Sequence, residues 1–257
     1  MEMEYRKVKL DTTAKEIRVY LLNDLHFGSK AADLDLWDRI KKDIRKHKDH
    51  ARIIINGDII EGALKTSKGD IYEQLMSPEK QIEFAANELM EFRELIDMVI
   101  IGNHDVRILN ETSIDPIKYL CRMLDIEDKY VGYEGVLSYS WNKCFYTIQA
   151  HHGSGGAAST GAIENKMKKM RKTNCDVFYM GHHHREVAVP YIEYQIDPYN
   201  GKLAKKKRWL VCGNTITDFA EYAKKFGYDE KFPSQAVLVM SGDKKNRGIE
   251  VEWIRSL

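Results

Sequence analysis

Five short motifs in the chain carry side chains of the types that bind divalent metal ions. They are Asp24-Leu25-His26, Gly57-Asp58, Gly102-Asn103-His104-Asp105, His151-His152-Gly153 and Gly181-His182-His183-His184. Seven of the nine histidines lie inside these motifs, which a random distribution of surface histidines would not produce. Carboxylates, imidazoles and one side-chain amide form a mixed nitrogen and oxygen donor set that suits Mn, Fe, Zn, Co or Ni. These donors are too many for one ion, so the motifs predict two ions that share one carboxylate.

Each motif follows a short run rich in apolar or aromatic residues, which predicts that a buried strand ends at each motif. Residues 17–22 and 52–55 are two such runs, and the segment between them has the spacing of an amphipathic helix. A strand, a helix and a strand predict two parallel strands, so Asp24, His26 and Asp58 are expected at one edge of a sheet. Side chains two residues apart on an extended segment point the same way, so Asp24 and His26 are expected to reach one metal ion.

The remaining segments alternate between helical and β-type patterns. Helices are predicted at residues 34–47, 67–96 with a break at Ser77-Pro78, 115–124, 162–172 and 219–225. Strands are predicted at residues 98–101, at 130–148 as a hairpin, and at 176–180, 186–195, 205–212, 236–240 and 249–254. A Gly-Asn turn is predicted at residues 102 and 103. The chain is predicted to form one domain over residues 1–257, with a helical cap insertion at about residues 65–95.

The composition is that of an ordinary soluble protein. Apolar residues make up 43% of the 257 residues, and the net charge of +1 gives no overall attraction to nucleic acid or membranes. The four cysteines are scattered without a Cys-x-x-Cys motif, which favours reduced thiols over disulfides or a zinc ribbon. The N-terminus is too charged for a signal peptide, and no apolar run approaches the ~20 residues that a membrane helix needs. We therefore expect a cytoplasmic protein without a membrane partner.

In their order and residue types, the motifs closely resemble those of the calcineurin-like metallophosphoesterases, from Asp24 to His184. The resemblance implies an α/β fold, a four-layer α-β-β-α sandwich with two facing mixed sheets and the metal site at the C-terminal ends of strands. It implies that one metal ion is held by Asp24, His26 and His184. It also implies that a second ion is held by Asn103, His152 and His182, and that Asp58 bridges the two ions. By the same resemblance, His104 stabilises the transition state or protonates the leaving oxygen.

Three motifs depart from the family's pattern, and two of them differ from the protein Ser/Thr phosphatases. Those enzymes have Asp where Glu61 stands, followed by Arg-Gly, whereas Gly62 follows Glu61 directly, which argues against a protein phosphatase. Glu61 is still expected to orient His104. The third motif ends in Asp105 instead of Glu. The fourth motif has two histidines, and we assign His152 as the ligand because it precedes Gly153, as the family pattern requires. On a strand, His151 should face the other side.

Two basic stretches have both a structural and a functional interpretation. Residues 166–172 and 205–208 are rich in Lys and Arg, and such runs are usually solvated surfaces. In the functional interpretation, the first stretch lines an electropositive approach to the metal ions for a polyanion such as DNA or RNA. Arg185 follows His184 directly and is a candidate for binding a substrate phosphate.

The leading hypothesis is a phosphoesterase with two divalent metal ions, Mn favoured, in which a metal-bridging hydroxide attacks phosphorus. It leans towards phosphodiesters, meaning nucleic acid or nucleotide, as the substrate partner. The alternatives are a phosphomonoesterase that acts on a small molecule and a non-catalytic scaffold that binds metal or nucleic acid. A metallo-β-lactamase is disfavoured because the His-x-His-x-Asp-His motif is absent. The sequence does not determine the oligomeric state.

Overall fold

The computed structural model of the chain describes residues 3–67, 71–157, 159–197, 199–218 and 232–256. The strands in these ranges are β1 (Glu4–Lys9), β2 (Glu16–Leu22), β3 (Ala51–Asn56), β4 (Ile96–Ile100), β5 (Glu134–Trp141), β6 (Cys144–His151), β7 (Val177–Met180), β8 (Val187–Ile196), β9 (Leu203–Cys212), β10 (Ser234–Ser241) and β11 (Ile249–Arg255). The α-helices are α1 (Leu34–Lys46), α2 (Pro78–Leu89), α3 (Asn103–Thr112), α4 (Pro116–Met123) and α5 (Thr160–Met170).

The strands form two mixed sheets. One sheet has six strands in the order β1-β5-β6-β7-β9-β8, and the other has five in the order β11-β10-β2-β3-β4. Strands β2, β3 and β4 are parallel, as are β6, β7 and β9, whereas β10 and β8 pair antiparallel with their neighbours. The predicted parallel pairing of β2 with β3 is therefore confirmed. In a parallel set, the carboxyl ends of the strands lie at the same edge, so three loops of each sheet leave from one edge.

Alternation along the strands builds the layers. On β2, Tyr20 and Leu22 pack against the helices, whereas Val19 and Leu21 face the six-stranded sheet. Helices α1, α2 and α4 cover the outer face of the five-stranded sheet. Helix α5 covers the six-stranded sheet on its other side through Ile163. The fold is thus the α-β-β-α sandwich that the family resemblance implies.

The predicted break in the helical pattern at Ser77-Pro78 is confirmed, because Ser77 has an extended backbone and a new helix, α2, begins at Pro78. The Ser77 hydroxyl accepts from the backbone N–H of Lys80, and Pro78 occupies the first helical position of α2, where its missing N–H is not needed. The predicted extent of the helix differs on both sides of α2, where the described residues form only the 3₁₀ segments Ile71–Glu73 and Met90–Leu95. The helical cap at about residues 65–95 stays a prediction.

Residues 102 and 103 form no turn, which corrects a second prediction. Gly102 is the N-cap of α3 with an extended backbone (φ −100°), and Asn103 is the first residue of the helix. The helix starts here because the Asp105 carboxylate accepts from the Gly102 N–H at 2.9 Å, as an acidic residue in a capping box does. Glycine is required at position 102 for space, because an added Cβ would lie 2.1 Å from the backbone N of Asp58.

The other predicted elements agree with the structure within a few residues at each end. The predicted helix at residues 219–225 lies outside the described residues. Among the residues that are described, no helix is both long enough and apolar enough to cross a membrane.

The contact at Gly102 gives a stability prediction. We expect Gly102→Ala to lower the free energy of unfolding by about 1–3 kcal/mol, the usual cost of overpacking, because backbone atoms on both sides resist displacement. Thermal and urea unfolding of the purified variant measure this change.

Gly161→Ala is the matched control. An added Cβ at position 161 meets no atom within 4 Å, and this residue lies in the first turn of α5. We expect its stability to be unchanged or slightly increased, because alanine favours helix over glycine. Equal changes in the free energy of unfolding for the two variants would contradict the close approach at Gly102.

Candidate metal centre

The loop that follows β2 carries Asp24 and His26 into a buried position. Both residues are at most 2% exposed. Backbone hydrogen bonds at 3.0 Å from Asp24 N to Gly57 O and from His26 N to Asp58 O join this loop to the one after β3. The predicted extended conformation is wrong, because Asp24 has φ 50° and His26 has φ 43°. The two side chains nevertheless reach the same site, since the left-handed residues on either side of Leu25 redirect the chain.

Left-handed backbone recurs throughout the site. Nine described non-glycine residues have positive φ, and five of them belong to the predicted ligand set: Asp24, His26, Asp58, His182 and His184. Each such residue costs on the order of 1–3 kcal/mol and persists only where surrounding contacts enforce it. Concentration of this strain on the motif residues indicates a functional site.

One group of donors consists of Asp24, His26 and His184. The Nε2 atom of His184 lies 3.0 Å from Asp24 Oδ1 and 3.3 Å from His26 Nε2. Three donor atoms, one from each residue, lie within 4.8 Å of one another, which is a spacing that one metal ion can span. Asp24 is held in place by the backbone N–H of His182, which donates to Oδ2 at 2.9 Å.

A second group surrounds the side-chain amide of Asn103. Its Oδ1 lies 2.6 Å from His182 Nδ1 and 3.2 Å from His152 Nε2. Asp58 Oδ2 lies 3.2 Å from the same nitrogen of His152. Asp58 also groups with His26 and His104, so it lies between the two sets of donors. The structure thus brings all seven predicted ligands together, and their role as ligands stays a prediction.

The outward-facing nitrogens of three histidines are held by acceptors of the protein. His152 Nδ1 donates to Asn56 O at 2.7 Å, and His182 Nε2 donates to Gly155 O at 3.0 Å. His26 Nδ1 lies 3.1 Å from the Glu61 Oε2 atom. Such acceptors orient the ring and direct the other nitrogen inward, where it can bind a metal ion in its deprotonated form. This arrangement is typical of histidines that bind metal.

Charge inside the site fits divalent cations. Burial would raise the pKa values of Asp24 and Asp58, but His184 and His152, respectively, lower both well below the ordinary range. In the described part of the chain, no lysine or arginine forms an ion pair with either carboxylate. Two fully buried carboxylates that face imidazoles and an amide are therefore suited to positive ions, which would balance their charge.

His104 and Glu61 lie at the border of the donor groups. His104 N donates to Asp58 Oδ1 at 2.7 Å, and His104 Nδ1 donates to the backbone oxygen of Glu61 at 2.9 Å. The Glu61 carboxylate lies 3.5 Å from His104 Nδ1 but 3.1 Å from His26 Nδ1. Glu61 thus contacts His104 mainly through its main chain and His26 through its side chain. Its predicted catalytic role stays a prediction.

Asp105 links two loops and is not directed at the donor groups. Its Oδ2 accepts from the N–H groups of Asp58 and Gly102, each at 2.9 Å. Burial, together with the charge of Asp58, raises the pKa of Asp105 to about 7. The residue therefore serves to hold the loop after β3 against the start of α3.

Sequence reasoning missed Arg107, which contacts His104. Its Nη1 and Nη2 atoms lie 3.1 Å from His104 Nδ1 and 3.0 Å from His104 Nε2. Residues three apart share one face of a helix, so the spacing from His104 to Arg107 was a usable signal. It was overlooked because helix α3 was not predicted.

Much of the basic stretch 166–172 is engaged in local contacts. Lys166 donates to the backbone oxygens of Ser154 and Gly156, next to the carbonyl that holds His182. Lys168 pairs with Glu164, and Lys172 pairs with Glu134. These contacts favour the structural interpretation of the stretch. Arg185 is half-buried, and its contact with substrate phosphate stays a prediction.

The two remaining motif histidines lie beside the ligand set. His151 is the last residue of β6, and its Nδ1 accepts from the backbone N–H of Gly153 at 2.8 Å. His183 packs against the His182 ring at a centroid distance of 5.0 Å. Both therefore contact neighbours of the ligands. For His151 this agrees with the expectation that it faces away from His152 on the strand.

The sequence profile described as "Calcineurin-like phosphoesterase" matches residues 17–186, about two thirds of the chain. The chain belongs to the calcineurin-like phosphoesterase family. This match spans every motif of the metal centre, from Asp24 to His184. A comparison with curated proteins gave no match.

Several solved structures are similar to this calcineurin-like phosphoesterase. Vacuolar protein sorting 29 of Cryptosporidium parvum is 14% identical with a TM-score of 0.46, over 95% of this chain and 100% of that chain. Vps29 of Entamoeba histolytica, complexed with Zn²⁺, is 12% identical with a TM-score of 0.39, over 93% and 99%. The calcineurin-like phosphoesterase YfkN of Bacillus subtilis is 9% identical with a TM-score of 0.43, over 93% and 90%.

The contact between Glu61 and His26 gives a prediction for metal affinity. We expect Glu61→Ala to weaken Mn(II) binding by about 10–100-fold, because His26 loses the acceptor that orients its ring. Calorimetric titration of the metal-free protein measures this affinity. Glu94→Ala is the control, because the Glu94 side chain is 84% exposed and should leave the affinity unchanged. An unchanged affinity in Glu61→Ala would contradict the orienting role.

Metal binding is also expected to weaken as the pH falls. Burial lowers the pKa of His152, but the charge and hydrogen bond of Asp58, the charge of Asp24 and the hydrogen bond to Asn56 together raise this pKa to about 10. A metal ion binds Nε2 only after the proton leaves, so binding releases protons and is weaker at about pH 6 than at about pH 8. Titrations in buffers with different ionisation enthalpies measure the proton release. An affinity independent of pH would contradict His152 as a ligand.

Proposed function

We propose that this protein is a phosphoesterase that uses two divalent metal ions to hydrolyse phosphate esters. The observation that carries the proposal is the convergence of two donor groups on Asp58. Each group presents imidazole nitrogens whose outer N–H is already bonded to the protein. A site built in this way is ready to take two ions without rearrangement of its ligands.

Bound ions would supply Lewis acidity, which activates water and neutralises charge on the phosphoryl group. The chain's own residues hold and orient the reactants. The backbone oxygen of Glu61 accepts from His104 Nδ1 at 2.9 Å, which holds the ring in place. We propose that His104, which lies outside the two ligand triads, assists the leaving oxygen.

For the substrate we propose a phosphodiester, in nucleic acid or a nucleotide. The support is the second motif, in which Gly62 follows Glu61 and the Arg-Gly of protein phosphatases is missing. A phosphomonoester of a small molecule is the second candidate. We propose Mn(II) as the resident metal, since the carboxylate and imidazole set accommodates it. We also propose a cytoplasmic location, which the four reduced, buried cysteines support.

Hydrolysis of two model substrates tests the proposal. With Mn(II) bound, we expect bis-p-nitrophenyl phosphate to be hydrolysed with a higher kcat/KM than p-nitrophenyl phosphate. Activity on the monoester alone would overturn the diester proposal. A protein that binds two metal ions and hydrolyses neither compound would overturn the enzyme proposal and favour a non-catalytic scaffold.

A variant of His104 separates metal binding from catalysis. We expect His104→Ala to keep two bound metal ions and to lose about 10²–10⁴-fold in kcat, the usual contribution of a general acid or base. Metal content by elemental analysis and steady-state kinetics give the two readouts. His50→Ala is the control, because His50 lies in a 3₁₀ turn before β3, outside the motifs, and should keep full activity. Loss of metal in His104→Ala would instead identify His104 as a ligand.

A further inference from the structure

Arg107 places its guanidinium beside the candidate catalytic histidine. It is half-buried on α3, and its two terminal nitrogens lie 3.1 and 3.0 Å from the ring nitrogens of His104. Within the described residues, no carboxylate lies within 4.0 Å of it. Two other arginines that are largely buried have such partners: Arg52 pairs with Asp97, and Arg208 pairs with Glu193.

The imidazole can satisfy few of the donors of Arg107. A guanidinium has five N–H donors and no acceptor. His104 Nδ1 donates to Glu61 O, so only Nε2 of this ring can accept from Arg107. Among the residues that the structure describes, the positive charge has no carboxylate partner, although it borders the donor groups that include His104. A half-buried cation in such a position is poised to bind an anion.

We propose that Arg107 binds a non-bridging oxygen of the substrate phosphate on the His104 side of the metal centre. The inference rests on the proposed phosphoesterase function and names a substrate-binding residue for it. Phosphate matches the planar fork of arginine, which can donate two parallel hydrogen bonds to two oxygens of one group. Binding supplies the counter-charge that the described residues do not provide.

The alternative is that Arg107 only packs against His104 and positions its ring. The two roles differ in what the loss of Arg107 changes. A phosphate-binding arginine contributes to the affinity for phosphate and to KM, whereas a positioning residue contributes to kcat. Affinity for inorganic phosphate therefore separates them without any turnover.

Calorimetric titration of inorganic phosphate into the Mn(II)-loaded protein is the test. We expect Arg107→Ala to weaken phosphate binding by about 10–100-fold, as the loss of a charged hydrogen-bonding partner does. Arg107→Lys should bind with intermediate affinity, because lysine keeps the charge and loses the fork. Arg122→Ala is the matched control, since this arginine is 59% exposed on α4 and pairs with Glu127. KM for bis-p-nitrophenyl phosphate should rise by the same factor as the phosphate dissociation constant.

Metal content and melting temperature are measured first for each variant, and Arg107→Lys provides the comparison if Arg107→Ala does not fold. Phosphate affinity equal to wild type in a folded, metal-loaded Arg107 variant would overturn the proposal, even if kcat falls. A wild-type protein that binds phosphate through Arg107 but hydrolyses no ester would overturn only the proposed function. Full turnover together with wild-type phosphate affinity in the variants would overturn only the phosphate-binding role of Arg107.

Discussion

The packing of two loops against each other determines the geometry of the metal centre. The loop after β3 and the start of α3 approach so closely that a Cβ atom at Gly102 would lie 2.1 Å from Asp58 N. Asp105 accepts from backbone N–H groups on both sides of this contact. The Asp58 carboxylate in turn accepts from His104 N at 2.7 Å. The position of Asp58 between the two donor groups therefore depends on backbone packing before any ion is bound.

The site concentrates features that are individually unfavourable. Buried carboxylates, buried imidazoles and left-handed backbone all raise the free energy of the folded chain. The sandwich around them offsets this cost, because the strands that end here are buried on both faces and packed against helices or the opposite sheet. Bound cations would add their own contribution, since they interact with the folded protein far better than with the unfolded chain.

Local patterns predicted the strands, most helices and the membership of the site. Short apolar runs mark strands that are buried on both faces, and their ends identify where Asp24, Asp58 and His152 leave the sheets. Helix α3 was not predicted because Gly102-Asn103 was interpreted as a turn, whereas Gly102 is the N-cap of the helix and its N–H donates to Asp105. The missed helix concealed Arg107, which was therefore absent from the predicted site.

From the sequence alone, the family, the layered α/β fold and the set of converging donors could be determined, because they depend on residue types, their order and the two-residue period of strands. Only the tertiary structure decided how those donors are oriented. The left-handed conformations at Asp24 and His26 arise from hydrogen bonds to the neighbouring loop, which no local pattern encodes. The division at Gly102-Asn103-His104-Asp105 is of the same kind. Gly102 allows close packing, Asn103 offers its amide oxygen to the donor groups, His104 supplies an imidazole and Asp105 joins two loops. These roles differ because each residue contacts a different part of the folded chain.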